Sequence, residues 1–429
     1  MRRLRMLAIV TTLALLGGCE STPPRPSATT SRPPTSDAVT FTRDVAPLLQ
    51  RHCQECHRPE SVAPFGLLRY EDAYSRRAKI RKAVTTRKMP PWKAVPGYGE
   101  FADVRRLAES EIDVISRWVA TGAPEGDPRD LPAPRRFSTG WALSRPSAVI
   151  AMEEPFTVPP RTSDLYRCFT VPIRIAGDWR FIRASEVLPG NRKVVHHVQT
   201  FLDRTGRSVE LDQAEPGPGY TCFGGPGFDS SGGLGGWVPG LAPIEIPPRV
   251  AWGIPPGARL VIQVHYHNPG DTPQTDVTRV GVHFTSRPFE RRLNRVRPSA
   301  WNFVIPARAP RARVVATASV DEDFEAMSVN AHMHLLGREM TVTAHLPDGT
   351  RRPLLRIDDW DFEWQLLYSF RRPVSLPAGT VVEAECVYDN SATNPRNPSS
   401  PPRTVTSGFE TTDEMCLASV LGTTRLAQR

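Results

Sequence analysis

Three rhythms of apolar and polar residues follow one another along this 429-residue chain. The first is a single block: basic MRRLRM, then apolar LAIVTTLALL, ending at Leu16-Gly17-Gly18-Cys19. Spanning a bilayer takes about 20 apolar residues, so this block is too short, and its basic start and small-residue end predict a secretory leader over residues 1–18. The second rhythm starts at Phe41, where Val45, Leu48 and Leu49 share one face of a short helix. Ile112, Ile115, Trp118 and Val119 repeat the helical spacing, with a capping pattern at Ser110 and Asp113 and Gly122 as the stop. The third fills the remainder. TVPIRI, RLVIQVHY, RVGVHF, MTVTAHL and TVVEAECVY alternate with period two between Pro- and Gly-bearing turns, a pattern that predicts antiparallel β-sandwiches.

The expected architecture is therefore multidomain. A small all-α domain covers residues 40–127, a Pro-rich linker 128–139, and two antiparallel, jelly-roll-like β-sandwich domains 140–295 and 296–429. About 290 residues of strand pattern are too many for one sandwich of roughly 100. Residues 19–39 are rich in Pro, Ser and Thr with almost nothing apolar, so they read as a tether that cannot bury a core. LGGC resembles a bacterial lipobox, which implies cleavage before Cys19 and lipidation of Cys19. The expected location is the bacterial cell envelope, lipid-anchored and periplasm-facing, and Glu20 favours the outer membrane.

Loss of the leader would remove Arg2, Arg3 and Arg5 and lower the formal charge of +9 by three. The remaining positive residues, such as Arg287, Arg291 and Arg292, are dispersed and not interleaved with aromatics, which argues against a nucleic-acid partner.

Cys53, Cys56 and His57 form CQECH. This is the CxxCH spacing of covalent c-type haem attachment, in which both thiols bond the haem and the imidazole becomes an axial iron ligand. No second Cys pair follows nearby to complete a zinc site. His52 is too close to the motif to reach the opposite haem face. Met89 is the sole methionine between the leader and Met152 and is followed by Pro90-Pro91-Trp92, so it is the expected second axial ligand. With KMPPW and WVATGAP, residues 40–125 resemble small bacterial c-type cytochrome domains, and a Met/His-ligated haem suits single-electron transfer. Cys19, Cys53 and Cys56 set aside, Cys168, Cys222, Cys386 and Cys416 remain and suggest two disulfides. Three pairings are open. Cys168 with Cys222 and Cys386 with Cys416 keep each bond within one expected domain.

The β-rich part holds His196-His197, His265-Tyr266-His267, His332-Met333-His334 and Met415-Cys416. His332 and His334, like His265 and His267, are two apart, so in a strand each pair projects from one face. His196 and His197 are adjacent and would point to opposite faces unless the backbone is irregular. A soft thioether at the end of the series favours copper over zinc. No HExxH motif is present to support a zinc hydrolase.

VVHHVQTF, VIQVHYHNP, NAHMHLLGR, YDNSATNPRNP and TTDEMC, in this order, resemble the copper type II, ascorbate-dependent monooxygenases, the peptidylglycine hydroxylating and dopamine β-monooxygenase group. The resemblance covers about residues 140–425 and implies two mononuclear coppers on two β-sandwiches facing a solvent-filled cleft. Motif by motif, it implies that His196, His197 and His265 hold an electron-storing copper and His332, His334 and Met415 an oxygen-binding copper. It requires only the first histidine of HYH, so His267 is left open; His283 and His345 are given no role, and Tyr266 is expected in the core. After EMC the chain continues LASVLG, without the polar and aromatic positions that grip a carboxylate in the peptide-hydroxylating members. The expected function is a copper-dependent monooxygenase that hydroxylates a C–H bond of a small molecule with O₂. Its electrons would come through the fused haem c or an ascorbate-like external donor. The competing expectation is a non-catalytic periplasmic copper-binding or electron-transfer protein.

Overall fold

The computed structural model describes residues 38–426 except Glu60, Val62, Asp103, 138–139, 176–179, Ser231, 239–242 and 287–288. The expected leader, Cys19 and nearly all of the tether lie outside the described residues. Among the described residues no helix is long and apolar enough to cross a membrane.

After a π-helical turn at Phe41–Val45 come three α-helices: α1 (Ala46–His52), α2 (Tyr70–Thr85) and α3 (Glu109–Ala120). They close on a small core containing Phe41, Leu49, Ile80, Ile115 and Trp118. The start of α3 lies earlier than the Ser110/Asp113 pattern suggested. Glu111 accepts a hydrogen bond from the Ala108 amide at 2.9 Å, so the acidic side chain that satisfies an open N–H of the first turn is Glu111 and not Asp113.

Most of the protein is β-strand. The first β-region contains β1 (Ala148–Ala151), β2 (Thr162–Pro172), β3 (Arg180–Leu188), β4 (Val195–Asp203), β5 (Arg259–Asn268) and β6 (Arg279–Phe284). One sheet aligns β1, β6 and β3, the other β2, β5 and β4. Ile150, Ile182 and Val282 from the first meet Val171, Val198 and Ile262 from the second in one core. A short helix α4 (Arg207–Gln213) follows β4.

The second region contains β7 (Arg291–Val296), β8 (Ala312–Ser319), β9 (Phe324–His332), β10 (Gly337–His345), β11 (Arg351–Ile357), β12 (Leu367–Leu376), β13 (Val381–Tyr388) and β14 (Cys416–Arg425). Its sheets run β12-β9-β14-β7 and β8-β13-β10-β11 and share a core of Val329, Val420, Val342, Val382 and Leu355. β7 pairs with β14 from Arg291 onward, so the second region begins some residues before the boundary expected at 295.

Residues 92–102, expected within the helical domain, cross to the second region. Ala94 bridges Ile357, Phe101 bridges Phe370, and both side chains are buried in the sandwich core. The Val95 amide donates to the Arg356 carbonyl, Ala102 to Ser369, and Arg371 to Glu100, each at 2.8 Å. Apolar residues at Trp92, Ala94 and Phe101 of this otherwise irregular segment find their burial here rather than among the helices.

Both disulfides have the expected pairing, Cys168–Cys222 and Cys386–Cys416. The turn after β4 depends on Asp203, which is almost wholly buried. Its carboxylate accepts from the backbone amides of Thr205, Gly206 and Ser208 at 2.7, 3.1 and 2.8 Å. Burial by itself would raise its pKa, but these bonds together hold it down at about 2. A carboxyl depressed below its unfolded value stabilises the fold at neutral pH, and that contribution disappears as pH falls from about 4 toward 2. Asp203→Asn should therefore lower stability at pH 7 by about 2 kcal/mol, with the gap from the parent protein closing below pH 4 in urea titrations. A gap independent of pH would reject this role for the charge.

Candidate metal centres and the helical cleft

His196 and His197 sit near the start of β4, and His265 on the neighbouring β5 faces His197 directly. The ladder then slips: Tyr266 pairs with Val195, leaving His196 as an extra residue in a β-bulge. The bulge supplies the irregular backbone that an adjacent His pair needs to aim both rings to one side. Ligand atoms of His196, His197 and His265 all lie within 4.8 Å of one another. His196 Nδ1 is 3.2 Å from His265 Nδ1, and the far nitrogen of His265 lies 2.5 Å from an Asp164 carboxylate oxygen. Tyr166, the cross-strand partner of His265, stacks on it at 4.2 Å with an interplanar angle of 4°. His267 is exposed and outside this trio, whereas Tyr266 points into the core and donates to Asp276 at 2.9 Å.

The second cluster forms where β9 ends beside the start of β14. His332 pairs with Leu417, two residues beyond Met415. The His332 and His334 rings are 5.1 Å apart, nearly perpendicular. Each has its Nδ1 engaged, His332 with Gln365 Oε1 at 2.6 Å and His334 with the Asp413 carbonyl at 3.0 Å. Such bonds fix ring orientation and leave Nε2 to face a metal. Met415 is buried, and its carbonyl accepts from the Tyr388 hydroxyl at 2.8 Å.

Burial, then the neighbouring His265, holds His196 down to about 4. Burial, then His334, does the same for His332, also to about 4. His197 lies well below the usual histidine range through burial and then His265, His196 and His332. Neutral imidazoles are the form that binds metal. Three clustered imidazoles, and two imidazoles beside a methionine, are donor sets that fit copper.

Sequence patterns did not single out Glu414, Gln365, Asp164 or Tyr166. Glu414 is fully buried; it accepts from the His334 amide at 2.8 Å and the Leu336 amide at 2.6 Å, and also from the Met415 amide at 3.3 Å. Burial raises its pKa to about 8 against the pull of those N–H groups. One carboxyl thus ties the HMH turn to the methionine. Its place beside Met415 in TTDEMC was the available signal. Glu414→Ala should strand these amides at a cost of about 1–3 kcal/mol and reduce copper bound at the second cluster. Metal analysis showing unchanged copper would reject this tie.

In the helical part, Cys53 and Cys56 are free, whereas Cys168, Cys222, Cys386 and Cys416 are bonded in pairs. Burial, then Cys56, pushes the Cys53 thiol up to about 12. His57 Nδ1 is 3.3 Å from the Phe65 carbonyl, leaving Nε2 for an axial bond. Met89 lines a cavity of about 340 Å³ with Val84, Trp92, Leu107 and Ile112. The cavity wall also carries Arg87, Lys93, Arg106 and Asp358, and Cys53, Cys56 and His57 are not among its lining residues; two free thiols, an oriented imidazole and a thioether are nevertheless donors of the types that hold a covalent haem.

Comparison with known proteins addresses the second cluster. Residues 304–421 match the family model of the copper type II ascorbate-dependent monooxygenase, C-terminal domain. This part of the chain is similar to that copper monooxygenase domain. The match takes in His332, His334 and Met415. The chain is also similar to a tyramine beta-hydroxylase of Caenorhabditis briggsae, 26% identical over 257 residues. That alignment covers 54% of this chain and 40% of the relative, so the chain spans well under two thirds of that protein. Among solved structures, the infectious bursal disease virus VP2 subviral particle aligns over 67% of this chain and 74% of its own, at 8% identity and a TM-score of 0.21. The T13 particle of the same virus aligns over 66% and 70%, at 10% identity and a TM-score of 0.19. Neither likeness bears on the fold of this chain.

Proposed function

We propose that this chain is a copper-dependent monooxygenase that hydroxylates a C–H bond of a small organic cation, with electrons supplied through a fused haem c. The observation that carries the reading is the pair of clusters, one of three imidazoles and one of two imidazoles beside Met415, in a chain whose residues 304–421 match the C-terminal domain of the copper monooxygenases. Bound there, copper would supply one-electron redox chemistry and activation of O₂. His196, His197 and His265 would hold one ion and His332, His334 and Met415 the other. The net reaction, R–H with O₂, two electrons and two protons giving R–OH and water, needs an outside reductant. Cys53, Cys56, His57 and Met89 would hold the haem that passes electrons inward.

A cavity of about 420 Å³ is lined by Asp164 and Tyr166, which touch His265, with Phe223 from the first region and Glu410, Thr411 and Thr412 from the second. Tyr166 and Phe223 meet edge to face at 4.8 Å and offer a wall for an apolar body. Asp164 and Glu410 contribute carboxylates, which favour a cationic group. An arylalkylamine fits both features, and the relative named tyramine beta-hydroxylase supports the same class. Lipid attachment through Cys19 at a periplasm-facing membrane surface is part of this proposal and accounts for the oxidising setting that the disulfides require.

Oxygen uptake by the full chain, copper-loaded and supplied with ascorbate, tests the reading across amines, alcohols and carboxylates. Amine-dependent uptake with a singly oxygenated product is the expected result. Copper binding and haem redox cycling with no substrate-dependent uptake would establish the non-catalytic electron-transfer reading instead.

A further inference from the structure

We infer that the strap of residues 89–102 is an electron bridge that enters the His332/His334/Met415 cluster rather than the three-histidine cluster; this rests on the haem and copper reading above. One end of the strap is Met89, in the wall of the helical cleft. Three residues on, Trp92 shares that wall and also reaches the second sandwich. There it packs edge to face on Tyr368 at 5.1 Å, and Phe101 flanks both rings at 6.2 and 5.3 Å. The Tyr368 ring is buried, with the Lys93 and Ala94 backbone beside its hydroxyl.

From Tyr368 the covalent and hydrogen-bonded path to the second cluster is short. Tyr368 lies opposite Val329 on β9, the strand that ends at His332. Gln365, three residues before Tyr368, is the group that engages His332 Nδ1 at 2.6 Å. The strap is also anchored well enough to hold a fixed distance. Lys93 is nearly buried and lies 2.7 Å from Asp359 and 3.8 Å from Asp361, beside the strap's backbone bonds to β11 and β12. Electron transfer through protein weakens steeply with each gap crossed, so a continuous run of packed rings and strand is the favoured channel.

The competing entry is at the other cluster. Arg192, four residues before His196, lies near Glu55 and Arg58 of the CxxCH loop. That approach juxtaposes two guanidinium groups, Arg58 and Arg192, with Arg58 over the Phe137 ring at 4.6 Å in place of a packed run of rings. The bridge passes one electron at a time, from ferrous haem that becomes ferric to a cupric site that becomes cuprous. No bond forms or breaks.

The test is rapid mixing of full-length protein carrying reduced haem with cupric ion, following haem absorbance and the Cu(II) paramagnetic signal together. Trp92→Leu should slow the fast haem oxidation by roughly tenfold or more, an added barrier of about 1.4 kcal/mol. Trp92→Phe should restore most of it, with haem content, haem potential and copper content unchanged. Protein with copper removed from the second cluster by Met415→Ile and His332→Ala should lose the fast phase, whereas His196→Ala with His265→Ala should keep it. The opposite pattern, or Trp92→Leu leaving the rate unchanged at normal haem and copper content, overturns the bridge while leaving the oxygenase reading intact. Parent protein without covalent haem overturns both.

Discussion

Met415→Ile should lower oxygen-dependent product formation by on the order of 100-fold or more, while haem incorporation and fold survive. Losing a group that merely orients a metal ligand costs 10–100-fold, and loss of a ligand itself costs at least as much. Isoleucine fills nearly the same buried volume, so the stability cost should stay below about 1.5 kcal/mol. His332 and His334 keep their bonds to Gln365 and the Asp413 carbonyl, and Glu414 keeps its hold on the HMH turn. What is lost is the soft donor that favours the cuprous state. X-ray absorption on ascorbate-reduced protein should show a copper–sulfur shell in the parent and none in the variant. Full turnover in Met415→Ile, or a sulfur shell that persists, would remove Met415 from the ligand set.

The largest stability effect is expected from Cys386→Ser with Cys416→Ser. The bond joins residues 30 apart and ties β13 to the start of β14. In the chain-entropy account, releasing a loop of that length costs about 3–4 kcal/mol. For an unfolding unit of this size the thermal midpoint should fall by about 10 °C. Met415 is next to the bond, yet its carbonyl is held by Tyr388 and the preceding carboxyl spans to His334 and Leu336. Copper at the second cluster should therefore persist in the folded variant. The two variants separate the roles: one removes the donor and keeps the fold, the other weakens the fold and keeps the donor. A loss under about 1 kcal/mol would show that the unfolded chain is already restrained without the bond.

Local chemistry was legible along the chain because it depends on short spacings. CxxCH, HMH and EMC are each readable within a few residues, as are period-two strands and the pairing of four cysteines by region. The bulge at His196 was not readable. It arises from the mismatch of β4 with β5, strands more than fifty residues apart, and only their ladder leaves His196 over. Glu414 was hidden in plain view, since a glutamate beside a methionine reads as exposed until its partners at 334 and 336 are seen. Asp164 and Tyr166 carry no motif; β2 brings them against His265 by strand pairing alone. The strap was misplaced for a related reason: Trp92, Ala94 and Phe101 are close in sequence to the helices, but no periodicity announces that β11 and β12 will bury them.

By itself the sequence determined which side chains could bind metal, which thiols could bond and which segments would be helix or strand, because donor type and periodicity are local properties. Only the tertiary structure decided that histidines from β4 and β5 share one site, that Met415 immediately precedes the strand paired with His332, and that the helical cleft opens onto the second sandwich. Those outcomes come from strand register and from burial between segments distant in sequence, which no short window contains.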